Sequence, residues 1–341
     1  MAELTPRERF LKALRREAVD RPPVTAVNQT VTVEQMERAG VYWPEAHKDA
    51  ELMAKLAGQA WEAIGIEGVG VPFCQSVEAE ALGCPINYGN RTQIPAISLT
   101  FKGYSSLGEV RVPKDLATAG RVPVVLKALK LLRERYPEVP VMGRIVGPFS
   151  AVACLGEMNK VMMAIVENPG LVKDFTKAAT GILTEYGKAM YEAGADAVVI
   201  EDMIASGDIL GRDLFSEFAQ PYLKEVIKGL RTKGPVILHL CGHGDEMIEA
   251  MVATGADGLS IDHKTDARGA VTKTRSRAVI IGNLNAPMTL GMGTPEEVRR
   301  EAVAALEAGV GMVAPGCMIS PITKDANLRA MVEAVKGWRK R

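Results

Sequence analysis

Val236-Ile237-Leu238-His239-Leu240-Cys241-Gly242-His243 is an unbroken apolar run that turns polar only at its C-terminal end. A half-solvated strand alternates polar and apolar residues, whereas a parallel strand covered by helices on both faces does not. The same design recurs along the chain, at about Val24 to Asn28, Gly65 to Pro72, Val139 to Gly147, Ala197 to Asp202, Gly258 to Asp262, Val279 to Asn283 and Met312 to Cys317. Each run is followed by a polar turn and then by apolar residues at helical spacing. Eight such units predict an α/β fold, a closed TIM (β/α)8 barrel.

The punctuation between the runs agrees. Thr5-Pro6-Arg7-Glu8 and Thr294-Pro295-Glu296-Glu297 carry the Ser/Thr-x-x-Glu pattern of a capped helix start, with proline at the first helical position. A helix from about Pro169 to Ala193 closes at Gly194, and Gly255 and Gly309 stand in the same way just ahead of the next strand. A helical segment precedes the first strand. From about Cys84 to Val112 the sequence turns to Gly, Asn, Pro and Thr, which predicts a small β-hairpin inserted at about 84–112 in one barrel domain spanning 1–341. No Gly-x-Gly-x-x-Gly turn follows the first strand, so a dinucleotide-binding sheet has no support.

Composition narrows the partners. A length of 341 residues suits one large core, and 41 Lys plus Arg balance 41 Asp plus Glu. Zero net charge argues against nucleic acid and against an anionic membrane surface, both of which need an excess of cations. No long apolar stretch follows Met1, so a cytoplasmic location is expected. Five scattered cysteines, 74, 84, 154, 241 and 317, fit a reducing compartment better than a disulfide framework.

In a barrel of this kind the reactive side chains gather at the C-terminal ends of the strands. His239 and Cys241 lie two apart and so point to the same side, and Gly242 lets the chain turn away behind them. Cys317 holds the equivalent place on the last strand. An imidazole beside two soft thiolates suits zinc, and three protein ligands with a fourth position open describe a catalytic site. The bland alternative is a buried histidine and two inert core cysteines. Asp202 and Asp262 are the candidate catalytic carboxylates: either could orient the histidine, complete the metal shell when substrate is absent, or bind substrate. Asp262 could equally cap the following turn. His243 is expected to face solvent, His47 to serve structure or catalysis, and Cys74, Cys84 and Cys154 to pack.

Taken together, His239-x-Cys241, Ala314-Pro315-Gly316-Cys317, Trp43-Pro44-Glu45-Ala46-His47, Ala81-Leu82-Gly83-Cys84, Gly194-Ala195-Asp196 and Phe218-x-x-Pro221 resemble the methylcobamide:coenzyme M methyltransferases of the uroporphyrinogen decarboxylase superfamily. The resemblance implies a zinc ion held by His239, Cys241 and Cys317 that activates a thiol, and a methyl donor on cobalt presented by a separate corrinoid protein. The chain itself lacks the Asp-x-His-x-x-Gly cobalt-ligand motif, since Asp262 and His263 are adjacent. It departs from the usual family pattern at Met203, where proline often follows the aspartate, and at His263, where an acidic or amide side chain is usual. The acceptor is therefore coenzyme M or, as in bacterial relatives, tetrahydrofolate. The parent decarboxylase needs an arginine-rich first loop, and here that loop is Asn28-Gln29-Thr30-Val31. A zinc hydrolase and a non-catalytic corrinoid-binding protein are the remaining alternatives.

Overall fold

The computed structural model describes residues 3–28 and 31–339, so Gln29 and Thr30 of the first loop lie outside the described residues. Among these the strands are β1 (Val69–Val71), β2 (Ile86–Asn87), β3 (Ala96–Ile97), β4 (Val141–Val146), β5 (Ala197–Glu201), β6 (Val236–Leu240), β7 (Gly258–Ile261), β8 (Val279–Leu284) and β9 (Met312–Pro315). β2 and β3 pair antiparallel, Ile86 opposite Ile97, and form the expected hairpin insertion. The other seven make one parallel sheet in the order of the sequence, each followed by a helical return. This is the TIM-barrel architecture.

The ring closes through Val24. Thr25 N–H donates to Val313 O at 2.9 Å, Val313 N–H to Pro23 O at 3.0 Å and, on the β1 side, Glu67 N–H to Val24 O at 2.7 Å. The strand expected over 24–28 is thus a single bridge. Pro22 and Pro23 bring no N–H to a ladder, and the chain already turns at Val27 and Asn28. The strand expected from Gly65 begins only at Val69, because Gly65 (φ 84°) still caps the helical turn Ala60–Ile64. At the other end β6 and β9 stop at Leu240 and Pro315, which leaves Cys241 and Cys317 just beyond their strands.

Alternation divides each strand into an outward and an inward set. Met142, Ala197, Val199, Ile237, Val279, Ile281, Met312 and Ala314 fill the barrel, and Phe10 and Leu14 of the helix Pro6–Leu14 plug its N-terminal end. Both capping boxes, at Thr5 and at Thr294, form as read.

The N-terminal end is also locked by carboxylates that stand just before strands. Glu67 accepts from Val24 N–H, Asp196 from Val141 N–H and Asp257 from Val236 N–H, so each takes up a free amide of a neighbouring strand. Among the described residues no single helix is long and apolar enough to cross a membrane.

Candidate metal centre

The inward parity of β5, β6 and β7 continues to the C-terminal mouth and ends in polar residues. Register places Glu201 beside His239 and His239 beside Ser260. His239 Nε2 lies 3.1 Å from Cys241 Sγ, and Cys241 Sγ lies 3.5 Å from Cys317 Sγ. The three donor atoms all fall within 4.8 Å of one another. His239 is buried, whereas both cysteines are partly exposed, so the cluster is closed below and open above.

Two glycines make this convergence possible. Gly242 has φ 76°, and a Cβ on it would stand 2.4 Å from Asp208 Oδ2. Gly316 lies so close to the end of β7 that a Cβ would meet His263 N at 2.6 Å. A side chain at either position would push Cys241 or Cys317 off its place.

The donor set fits zinc on its chemistry: a single imidazole nitrogen and two soft sulfurs within one ion's reach, with an open side. In the bare cluster the sulfurs share a proton, with Cys317 drawn below the usual thiol range first by the hydrogen bond from Cys241, and Cys241 pushed above it. Burial pushes His239 down, but the hydrogen bond and charge of Cys317 outweigh it and the net shift is upward.

Neither candidate carboxylate, Asp202 or Asp262, is hydrogen-bonded to His239. Asp202 is fully buried and accepts from Ser150 N–H at 2.7 Å and Phe149 N–H at 3.4 Å, in the first turn of the helix Pro148–Leu155. Burial lifts its carboxyl to about 6. Asp262 Oδ2 accepts from Gly242 N–H at 3.1 Å and Oδ1 from Lys264 N–H at 3.1 Å, the turn-capping alternative. The partner of His239 Nδ1 is Ser260 Oγ, at 3.0 Å.

Two further residues at the mouth stand outside the sequence-based candidates, although strand parity marks them. Glu201, two after Val199, faces inward next to His239, and Gln75 Nε2 donates to its Oε2 at 2.7 Å. Burial raises its pKa, against the opposing pull of Arg144. Arg144 itself is buried in the barrel, where it donates to Val27 O and Pro72 O. Elsewhere, His243 faces solvent beside Asp208, as expected. His47 is fully buried with neither ring nitrogen hydrogen-bonded. Cys74 is more than a packing residue, since Arg121 Nη1 donates to its sulfur at 3.3 Å.

Exposed apolar groups concentrate in the connections that leave the strands' C-terminal ends. Among the described residues every large hydrophobic side chain that is exposed, Leu99, Leu107, Val112, Met158, Met163, Val166, Met288, Met292 and Ile322, lies between the C-terminal end of a strand and its return helix. Met288, Met292 and Ile322 sit on the two connections after β8 and β9. Asn327 Nδ2 ties those connections together by donating to Leu290 O and Gly293 O, both at 2.9 Å.

Comparison with known proteins places this arrangement. The sequence matches the family described as "Uroporphyrinogen decarboxylase (URO-D)" over residues 5–338. It is 38% identical to the methylcobamide:CoM methyltransferase MtbA of Methanosarcina acetivorans over 360 residues, covering 99% of this chain and 100% of that protein. It is 37% identical to the methylcobamide:CoM methyltransferase MtaA of Methanosarcina barkeri, covering 98% of each. A solved methyltransferase from Methanosarcina mazei superposes with a TM-score of 0.94 at 37% identity, over 98% of this chain and 99% of that one.

Proposed function

The chain belongs to the uroporphyrinogen decarboxylase family, grouping there with the methylcobamide:CoM methyltransferases, and from that premise we propose that it transfers a methyl group from a protein-borne corrinoid to a thiol activated beside His239, Cys241 and Cys317. The observation that carries the proposal is the convergence of one imidazole and two sulfurs at an open barrel mouth. Zinc is the ion this donor set suits, and when bound there it supplies the positive charge that lets a thiol lose its proton near neutral pH. A free thiol, with a pKa near ~8.5, is mostly protonated under the same conditions.

The residues then have separate tasks. His239, Cys241 and Cys317 would hold the ion, and the two thiolates would offset its charge so that an acceptor sulfur keeps its nucleophilic character. Asp262 steadies Cys241 through the amide of Gly242. Asp202 has a structural task, fixing the helix Pro148–Leu155 at the rim. In the transfer an acceptor sulfur lone pair forms the S–C bond, the C–Co bonding pair stays with cobalt as Co(III) becomes Co(I), and the thiol proton leaves to solvent. The barrel contributes alignment of the acceptor for an in-line approach from above.

A thiol acceptor such as coenzyme M has the stronger support, because the relatives' names carry it. The exposed Met288, Met292 and Ile322, on the adjacent connections after β8 and β9, support a protein carrier for the corrinoid, since neighbouring exposed hydrophobic groups mark contact surfaces. The test is demethylation of methylcobalamin with 2-mercaptoethanesulfonate or tetrahydrofolate as acceptor. Wild type is expected to use the thiol and to lose activity on metal removal, and Cys317→Ala to lose both metal and activity with its circular dichroism unchanged. Methyl transfer that survives complete metal loss defeats the proposal.

A further inference from the structure

Strand β7 gives no donor to the cluster, yet it carries the group on which the geometry of His239 depends. Its inward positions are Gly258, Ser260 and Asp262, and Ser260 stands level with His239 in the register. Ser260 is wholly buried, just above the layer of Val, Ile, Ala and Met that fills the barrel. A hydroxyl in such a place costs free energy unless it is hydrogen-bonded. Among the described residues its side chain makes one such bond, to His239 Nδ1 at 3.0 Å.

We propose that Ser260 is a positioning residue: its Oγ holds His239 Nδ1, accepting from Nδ1–H in the tautomer whose Nε2 lone pair faces the two sulfurs. A neutral imidazole has one protonated and one free nitrogen, and the hydrogen bond at one decides which face is the donor. Nε2 is the nitrogen that lies 3.1 Å from Cys241 Sγ, so the ring is already turned the required way. The bond also stops rotation of the ring about χ2, which would otherwise exchange the two edges. Serine does this without adding charge. A carboxylate in its place would stack a further negative charge on a site that already holds two thiolates, with Glu201 alongside.

The inference rests on the metal-site reading above, and its test separates the two. Zinc affinity is measured by competition with a chromophoric chelator for wild type, Ser260→Ala and Ser260→Thr, with cobalt(II) absorption spectra and thermal unfolding of the metal-free proteins beside it. Removing a hydrogen-bond partner of a metal-bound histidine typically costs 10–100-fold in affinity. We expect a zinc Kd raised by roughly that factor in Ser260→Ala, an altered cobalt spectrum, and metal-free unfolding unchanged. Ser260→Thr, which keeps the hydroxyl, is expected to restore wild-type affinity. Wild-type zinc binding with an unaltered Kd in Ser260→Ala overturns the inference alone. Equal losses in Ala and Thr that track metal-free stability also overturn it, because they mark a packing role. Absence of zinc binding in wild type removes the metal-site reading and the inference together.

Discussion

At the N-terminal end of the barrel, Glu67 accepts from Arg9, Arg21 and Val24 N–H, and Asp196 accepts from Arg7, Arg133 and Val141 N–H. At the C-terminal end, Glu78, Asp202 and Asp262 accept from backbone amides and from no arginine. Arginine neutralises the first pair, whereas these three have none, although at the same end Asp325 pairs with Arg38 and Glu80 with Arg121. Arg9 likewise draws Asp20 down to about 2, whereas burial lifts Glu78 to about 7 and Asp202 to about 6. One end of the barrel is built for permanence. The other keeps polar groups incompletely paired, with open sulfurs among them and exposed apolar side chains on the connections after β8 and β9, and that is where the fold places chemistry.

The sharpest way to break this contrast is to unpair the N-terminal network. Glu67→Ala leaves Arg9, almost wholly buried, with Asp20 as its remaining carboxylate. Breaking a buried pair by removing one partner typically costs about 3–5 kcal/mol, so a loss of that order is expected in urea unfolding. Zinc affinity should stay at the wild-type value. A shift in zinc affinity matching the stability loss would show that the two ends are not separate.

Glu78→Gln tests the opposite end. Glu78 Oε1 accepts from Val146 N–H at 2.8 Å while Oε2 has no partner, and burial raises its pKa from 4.5 to about 7. The native state therefore holds its proton more tightly than the unfolded chain. The stability this gives is fully present below about pH 4.5 and lost as pH rises through about 7. Glutamine keeps the acceptor and removes the titration. The variant is expected to match wild type at low pH and to exceed it by roughly 1–3 kcal/mol at pH 8. A pH profile parallel to wild type would contradict this.

A smaller effect on stability, but a selective one on function, is expected at the rim. Met288→Glu with Ile322→Glu should change unfolding free energy by no more than about 0.5 kcal/mol, since both side chains are exposed. The pair should raise KM for a methylated corrinoid protein several-fold while leaving turnover with free methylcobalamin as it was. Equal effects on both donors would remove the rim from the docking account.

Much of the molecule is legible in its sequence because strands repeat with period two and helices end on glycine. Parity along Val236–Cys241 pairs His239 with Cys241 from the residue order alone, and apolar continuity gives the barrel. The same parity along Ala197–Asp202 singles out Glu201 over Asp202, and along Gly258–Asp262 it marks Ser260 together with Asp262. Ranking polar residues by their place at the strand end, rather than by the face they share with His239, hides Glu201 and Ser260. Other features lie outside any local pattern. The pairing of Ser260 with His239 depends on the β6–β7 register, and that of Arg7 with Asp196 spans 189 positions. The reduction of the first strand to one bridge depends on where the ring closes, which no single segment encodes.

The most direct measurement is zinc-edge X-ray absorption on the metal-loaded protein with and without 2-mercaptoethanesulfonate. The account expects two sulfur scatterers near ~2.3 Å and one imidazole nitrogen near ~2.0–2.1 Å, with a third sulfur on adding the thiol. A shell without sulfur, or one that ignores the thiol, would contradict it.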